Sequence, residues 1–429
     1  MAMAVIAISF LILMVLGVPI GACLGVSAVL TMFLFDLGTG MLAVNFTSGI
    51  ASFPLLAIPF FVLAGVILER AGLAATIARF FELLVGRMTG GLAIVAVLTC
   101  MFWGALSGSG PATTAAVGLI LFTPMFRHGY KRAFAGALIA NASDLSIIIP
   151  PSIAFIIYGS ITSVSVSALF AAGVIPGILT GIFMMIVAYL ISRRRGYRGL
   201  EQRGTFKEIM VALYQSTWAL LTPVVILGGI YSGIFTPTEA AVVAVFYSLF
   251  VAVVVYRSIA WRDLMQILVD ASVTSSVIMF IVVFAGIFTW VASVLGIIDA
   301  TANFIVKISP NAVAMILLVD LLLLILGMFL DAISISYILM PILMPVLKVF
   351  HVDPLWYGVI FVTALAIGQT TPPVGVNLFT AANLIESDLD TLAMESLPLV
   401  AAATVALILL SLVPVLSTWL PMKMGLYTP

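Results

Sequence analysis

Charged residues are scarce in this sequence, at 17 Lys and Arg and 17 Asp and Glu among 429 residues, or 8%. Soluble domains carry about 25%. Because the two signs cancel, the chain lacks the basic surface that nucleic acid requires, and no nucleic acid is expected as a partner. Hydrophobic residues make up 64%, in continuous apolar runs and not in the alternating segments of a β-barrel. The composition therefore predicts an all-α polytopic membrane protein in contact with lipid.

Histidine and cysteine are each present only twice. His128 and His351 fall in predicted loops beside charged residues, so neither a Ser–His pair within the membrane nor a metal-binding His cluster is expected. Cys23 and Cys100 match no disulfide or metal spacing. Because a P-loop is also missing, we expect neither an enzyme, an ATP-driven pump nor an organic cofactor.

The basic residues indicate which side of the membrane each loop faces. Fourteen of the 17 fall in a few groups, which the positive-inside rule places in the cytoplasm: Arg70, Arg79 and Arg87; Arg127, Lys131 and Arg132; Arg193 to Arg195, Arg198, Arg203 and Lys207; and Arg257 and Arg262. Between Arg87 and Arg127 the chain must return to its starting side. The apolar pieces there, 92–104 and 115–126, are shorter than the roughly 20 residues of a full span, so a re-entrant hairpin is predicted with "SGSGPATT" at its tip.

Similar stretches recur 221 to 223 residues apart. "LAG" at 63–65 pairs with "FAG" at 284–286, Gly104 with Gly327, Pro124 with Pro345, and Pro150-Pro151 with Pro372-Pro373. The chain is therefore predicted to contain two copies of one unit. Since each copy crosses the membrane five times, the second is inverted, which is a hallmark of secondary transporters.

This duplication sets the predicted boundaries of the domains. The first repeat covers 1–192, with a hairpin at about 92–126 and a Pro-Pro-broken helix at about 133–160. A cytoplasmic connector, 193–216, follows. The second repeat covers 217–429, with a hairpin at about 311–347 and a broken helix at about 354–383.

Side chains with hard oxygen atoms gather at the four predicted breaks, where unpaired backbone groups need partners. They are Ser107, Ser109, Thr113, Thr114, Asn141, Ser143, Asp144 and Ser146 in the first repeat, and Asp331, Ser334, Ser336, Gln369, Thr370, Thr371 and Asn377 in the second. Such oxygens favour sodium over a transition metal. Asp144 and Asp331 are ionisable groups at depth, which in membrane proteins indicate function, although bonding to backbone N–H groups at a break is an equally good interpretation. Away from the breaks, "FTPTEAA" predicts a helix start with Thr236 or Thr238 as the cap and Glu239 in the first turn.

Several ordered blocks resemble the large membrane subunit, DctM type, of tripartite ATP-independent periplasmic (TRAP) transporters. They are "SFPLLAIPFFVLAGVILERAG", "GALSGSGPATTAAVG", "IIPPSIAFIIYG", "LFAAGVIPGIL", "GGIYSGIFTPTEAAVVAVFYSLFVA", "GMFLDAISI" and "TPPVGVNLF". The resemblance implies a multi-pass protein of the bacterial inner membrane that imports organic acids with sodium by an elevator motion. It also implies two partners, a small four-helix membrane subunit of the DctQ type and a periplasmic substrate-binding protein.

The resemblance further implies positions for the ligands. One sodium ion would lie between Ser107, Ser109 and Asn141, and the other would lie near Gly327, Gly368, Thr370 and Thr371. Substrate contacts would include Ser109, Thr113, Ser165 and Asp331, with Ser143 and Asp144 as further candidates. Sialic-acid members have an arginine within the stretch matching 289–296, and this chain has none there, so the resemblance does not specify sialic acid.

Two other functions remain open at this point. One is a stand-alone sodium/divalent-anion symporter, which shares inverted hairpins but needs no binding protein. The other is a channel, although channels rarely need paired hairpins with broken helices behind them.

Overall fold

The computed structural model of the protein describes residues 1–38, 40–200 and 204–428. Helices are the regular secondary structure throughout these residues. Seven of them are long and apolar enough to cross a membrane, or eight if the bent pair Arg132–Ile148 and Ile153–Thr162 counts as one span. The prediction of an all-α polytopic membrane protein is thereby confirmed.

The helices of the first half run up to the polar segment near residue 200. They are α1 (Ala2–Val15), α2 (Ile20–Leu34), α3 (Met41–Ile50), a 3-10 turn (Phe53–Leu56), α4 (Ala57–Arg70), α5 (Leu73–Val85), α6 (Gly91–Ser107), α7 (Gly110–Arg127), α8 (Arg132–Ala142), α9 (Leu145–Ile148), α10 (Ile153–Thr162) and α11 (Val166–Arg195).

The second half repeats much of this order. Its helices are α12 (Phe206–Tyr231), α13 (Pro237–Leu249), a π-helical turn (Phe250–Val255), α14 (Asp263–Val294), α15 (Ile297–Ile308), α16 (Ala312–Gly327), α17 (Ala332–Val349), α18 (Pro354–Gly368), α19 (Val376–Ile385), α20 (Leu389–Leu412) and α21 (Val415–Lys423).

Two helices of the second half begin at capping boxes, in which an N-cap hydroxyl and a glutamate three residues later satisfy free backbone N–H groups. Thr236 and Glu239 form one at the start of α13, so the predicted helix start is confirmed with Thr236 as the cap. Thr205 and Glu208 form the other at α12. This cap starts α12 at Phe206, inside the range 193–216 predicted as the connector, of which residues 201–203 lie outside the described residues.

The packing of the helices follows the duplication. Helix α4 packs against α13, and α14, the counterpart of α4, packs against α2. Likewise α10 packs against α17, while α19, the counterpart of α10, packs against α7. Each broken helix therefore contacts the second arm of the hairpin of the other repeat, so the two hairpins and the two breaks form one unit.

Glycine allows each hairpin to approach the broken helix of its own repeat. A Cβ atom at Gly104 of α6 would lie 2.5 Å from the Cα atom of Ser146 in α9. A Cβ atom at Gly327 of α16 would lie 2.7 Å from the Cα atom of Gly368 in α18. These two contacts correspond between the repeats, and both are too close for any larger residue.

We predict that Gly104→Ala destabilises the protein, because backbone atoms of α9 must move to admit the methyl group. Overpacking of this kind costs about 1–3 kcal/mol, which would lower the midpoint of thermal unfolding in detergent. The matched control is Gly286→Ala on α14, where a Cβ atom meets nothing within 4 Å and helix propensity favours alanine by roughly 0.5–1 kcal/mol. Equal midpoints for the two variants would contradict the prediction.

Candidate functional site

The first hairpin turns at a short polar tip between α6 and α7. Gly108, with φ +60, adopts the left-handed conformation that ends α6, and Pro111 lies in the first turn of α7. The hydroxyl groups of Ser107 and Thr113 lie 2.6 Å apart across the tip. Ser109 is the N-cap of α7, but its side chain accepts no capping hydrogen bond. The first N–H groups of α7 therefore have no side-chain partner at the cap.

The second hairpin closes its tip differently, with a carboxylate. Asp331 is the N-cap of α17, and its Oδ1 atom accepts hydrogen bonds of 3.0 Å from the N–H groups of Ile333 and Ser334. Its Oδ2 atom accepts a third hydrogen bond, of 2.6 Å, from the Ser334 hydroxyl. The positive end of α17 is therefore already satisfied by a side chain of its own tip.

Behind the tips lie the two helix breaks, each at a Pro-Pro pair whose peptide bond is cis. In the first, α9 is a single turn between α8 and α10. In the second, the carbonyl group of Gln369 accepts a hydrogen bond of 3.1 Å from the N–H of Asn377, and the N–H of Gly375 donates to the carbonyl group of Met328 at 3.3 Å. The latter bond joins the second break to the second tip.

Asp144 joins the first break to the second. Its Oδ2 atom accepts a hydrogen bond of 2.7 Å from the Thr370 hydroxyl, and its Oδ1 atom accepts one of 2.9 Å from the Nδ2 atom of Asn377. All three side chains are fully buried. Since Thr370 and Asn377 belong to the second repeat, this carboxylate holds the two repeats together at the centre of the site.

Two buried amide oxygens beside this link accept no hydrogen bond from any residue that the structure describes: Asn141 Oδ1 and Asn377 Oδ1. Asn377 also lies against the first tip, since a Cβ atom at Gly110 would be 2.7 Å from its Oδ1 atom. A buried acceptor without a donor is costly unless a ligand completes it. Both oxygens are the kind of hard ligand that sodium requires.

A cavity of about 500 Å³ lies in front of the tips. Residues 107–112 and 331–333 of the tips line it together with residues on α4 and α14, including Gly65, Glu69 and Thr274. Gln369, Ile147 and Ile153 of the breaks complete its wall. The cavity is thus bounded on one side by the hairpins and breaks, and on the other by two helices that pack outside them.

The residues predicted for the site occupy different positions around this cavity. Ser107, Ser109 and Asp331 line it, while Thr113, Asn141, Gly327, Gly368 and Thr370 are buried. The hydroxyl groups of Thr371 and Ser143 donate to carbonyl groups four residues earlier, at the ends of α18 and α8. Ser165 caps α11 and is not among the lining residues. Their roles as ligands remain predictions.

One residue of the site, Glu69, could not be selected from the sequence, and the partners of the others could not be assigned. Glu69 lies near the end of the apolar helix α4, and nothing in the sequence around it indicates a cavity. Only the fold brings it in front of the tips. Asp144 and Asn377 stand out as polar residues at breaks, but no spacing in the sequence pairs them. Gln369 also stands out in the sequence, but a polar residue next to a Pro-Pro pair can equally form hydrogen bonds with the backbone.

Comparison with known proteins gives consistent matches over nearly the whole chain. The family model described as "Tripartite ATP-independent periplasmic transporter, DctM component" matches residues 7–416. The C4-dicarboxylate TRAP transporter large permease protein DctM of Pseudomonas aeruginosa is 39% identical over 404 residues, which cover 94% of each chain. The sialic acid TRAP transporter large permease protein SiaM of Vibrio cholerae is 35% identical over 406 residues, covering 94% of this chain and 95% of SiaM.

Two further matches concern a longer relative and a solved structure. The isethionate TRAP transporter permease protein DctMQ of Oleidesulfovibrio alaskensis is 37% identical over 410 residues, which are 94% of this chain and 64% of that protein. The chain therefore spans less than two thirds of DctMQ. The crystal structure of the Alcanivorax borkumensis YdaH transporter matches with a TM-score of 0.61 and 15% identity, covering 90% of this chain and 89% of that one, and it shares the fold.

We predict that Asp144→Ala destabilises the protein more than Asp144→Asn. The alanine leaves the Asn377 amide buried without an acceptor, at about 1–3 kcal/mol, and leaves the Thr370 hydroxyl with only the Ile367 carbonyl as an acceptor. Asparagine retains one carbonyl oxygen. Thermal unfolding in detergent should rank the natural chain first, asparagine second and alanine third. Asp270→Asn is the control, since it removes only the partly exposed ion pair with Arg70, worth at most about 1 kcal/mol. An alanine variant as stable as this control would be incompatible with a central role for Asp144.

Proposed function

This chain belongs to the DctM component family of tripartite ATP-independent periplasmic transporters, and from that premise we propose that it imports organic acids into the cell with sodium. As a multi-span permease of this family it lies in the bacterial inner membrane. The observation that carries the proposal is the cavity between the hairpin tips, with two orphaned amide oxygens buried behind it. Inverted hairpins around a central site are the usual arrangement of ion-coupled transporters.

Organic acids are the proposed class of substrate because the relatives carry such names. DctM of P. aeruginosa is named for C4-dicarboxylates, SiaM of V. cholerae for sialic acid, and DctMQ of O. alaskensis for isethionate. A volume of about 500 Å³ suits molecules of this size, since ligand sites for small molecules begin at about 300 Å³.

Sodium is proposed as the coupling ion because the donor set fits it. Asn141 would contribute its free Oδ1 atom to one ion together with the hydroxyls of the first tip. Thr370 and the backbone at Gly327 and Gly368, which nearly touch, would hold the other. When bound, sodium would couple uptake to the free energy of the sodium gradient and would neutralise negative charge near the substrate.

An elevator motion is proposed because the cavity has two kinds of wall. Its two breaks are bonded to each other through Asp144 and pack against the hairpins, whereas its outer wall belongs to α4 and α14. The cavity extends along α4 to Glu69, one residue before Arg70, which the positive-inside rule assigns to the cytoplasm. This geometry corresponds to the inward-facing stage of transport, with the hairpin unit moving toward the periplasm to reload.

Two partners are proposed from the family: a small four-helix membrane subunit of the DctQ type and a periplasmic binding protein that delivers the acid. We expect uptake into proteoliposomes to require the large subunit, the small subunit, the binding protein and an inward sodium gradient together. The measurement is accumulation of labelled acid with each component left out in turn. Sodium-driven uptake that is indifferent to the binding protein would favour the stand-alone symporter instead.

We predict that Asn141→Leu and Thr370→Val each raise the sodium concentration needed for half-maximal uptake. Both variants keep the branching and the number of non-hydrogen atoms of the side chain but remove its oxygen. A loss of about 1.4 kcal/mol in binding corresponds to roughly tenfold weaker affinity. Thr363→Val on α18 is the control, because that buried hydroxyl donates to the carbonyl of Val359 in its own helix at 2.7 Å. Unchanged sodium dependence in both site variants would remove these residues from the ion sites.

A further inference from the structure

The cavity has an unusual charge balance for a site that receives acids. Its lining includes the carboxylates of Glu69 and Asp331, and no Lys, Arg or His is among the described residues that line it. Arg70 follows Glu69 along the chain, but its guanidinium is ion-paired with Asp270 at 2.6 Å. An anion entering this cavity therefore meets negative charge without a side-chain cation to offset it.

The two tips offer different conditions to an acid group. At the second tip, Asp331 already accepts the hydrogen bonds from the first N–H groups of α17. At the first tip, Ser109 provides no such cap, and Gly110 and Ala112 at the start of α7 line the cavity. Free N–H groups at a helix N-terminus attract anions. An acid group is therefore favoured at the first tip and disfavoured at the second.

A polar side chain at the cavity wall supports a ligand with an acid group here. Gln369 lines the cavity and is 6% exposed. None of the hydrogen bonds among the described residues uses its side-chain amide, although its backbone groups are both bonded. A largely buried amide that faces a cavity without a partner in the protein is available to hydrogen-bond a ligand. An amide N–H can donate to an acid oxygen without adding charge.

Glu69 lies at a short distance from the first tip. Gly65, one helical turn earlier on α4, packs against this tip, since a Cβ atom there would lie 3.6 Å from the Cα atom of Ser107. Four residues of α-helix advance about 6 Å. A compact molecule with two to four carbon atoms between its ends would therefore place one end at the first tip and the other near Glu69.

We infer that the substrate is a zwitterionic organic acid, in which a carboxylate or sulfonate lies at the N-terminus of α7 and an ammonium group faces Glu69. This inference rests on the proposed function, because it assigns the class of acid carried in the same cavity. Negative charge without a cation then selects against simple anions, which is a means of specificity. The acid group is bound by uncharged N–H donors, and the ammonium group is bound by the Glu69 carboxylate.

The test compares ligands that differ only in a hydroxyl or an ammonium group. The first pair is 2-hydroxyethanesulfonate and 2-aminoethanesulfonate, and hydroxy and amino carboxylic acids matched at two, three and four carbon atoms extend the series. Binding to the purified complex of the large and small subunits in sodium buffer is measured by the shift in thermal unfolding, which rises with ligand concentration over Kd. We expect the amino member of the best-fitting pair to bind at least tenfold more tightly.

Variants connect this preference to the cavity. Glu69→Gln should reduce the tenfold preference to within about threefold, chiefly through weaker binding of the amino member. Glu386→Gln, the same substitution at an exposed residue beyond the end of α19, should leave the preference unchanged. Tighter binding of the hydroxy member, equal binding of both, binding by neither at any length, or a preference that survives Glu69→Gln would each overturn the inference.

The same ligands distinguish this inference from the proposed function. In the proteoliposome assay with the binding protein, sodium-driven uptake of simple hydroxy acids with no amino acid preference would overturn the zwitterion and leave sodium-coupled import intact. Uptake of amino acids that does not depend on the sodium gradient would support the zwitterion and overturn sodium-coupled import. The two readouts are independent because one is equilibrium binding and the other is flux.

Discussion

The structure depends on one constraint, that backbone N–H and C=O groups inside a membrane must find partners within the protein. Four helix interruptions create such groups, and the protein satisfies several of them with short-range hydrogen bonds. Asp331 caps α17, and the second break bonds back to its own Gln369 carbonyl. Among the buried polar atoms left without a partner in the described residues, the Oδ1 atoms of Asn141 and Asn377 lie beside the breaks.

Local features of this arrangement could be predicted from the sequence. These features depend on residues that are close together in the sequence. They are the Pro-Pro pairs, the Gly-rich polar stretch inside an apolar run, and a Thr followed three residues later by Glu. Thr205 and Glu208 obey the same capping rule as Thr236 and Glu239, but their position inside a long polar connector hides the start of α12 in the sequence.

The contacts between the repeats could not be predicted in this way. Asp144 meets partners more than 220 residues away, and only the packing of the two broken helices brings them together. A charged residue within an apolar segment indicates a functional or structural role, but it does not identify the partner of that residue. The position of Glu69 in the cavity is a similar case, because it follows from the way α4 passes the first tip. The residues that line this site therefore come together only in the folded protein, whereas each hairpin is determined by residues close together in the sequence.

The Asp144 link also makes the two repeats unequal. It occurs once, because the position matching Asp144 in the second repeat is Ala366, and those matching Thr370 and Asn377 in the first are Ile148 and Phe155. Two copies of the present first half would lack both donors, and two copies of the present second half would lack the carboxylate. The halves are therefore complementary at this link, and a second copy of either half could not replace the other there.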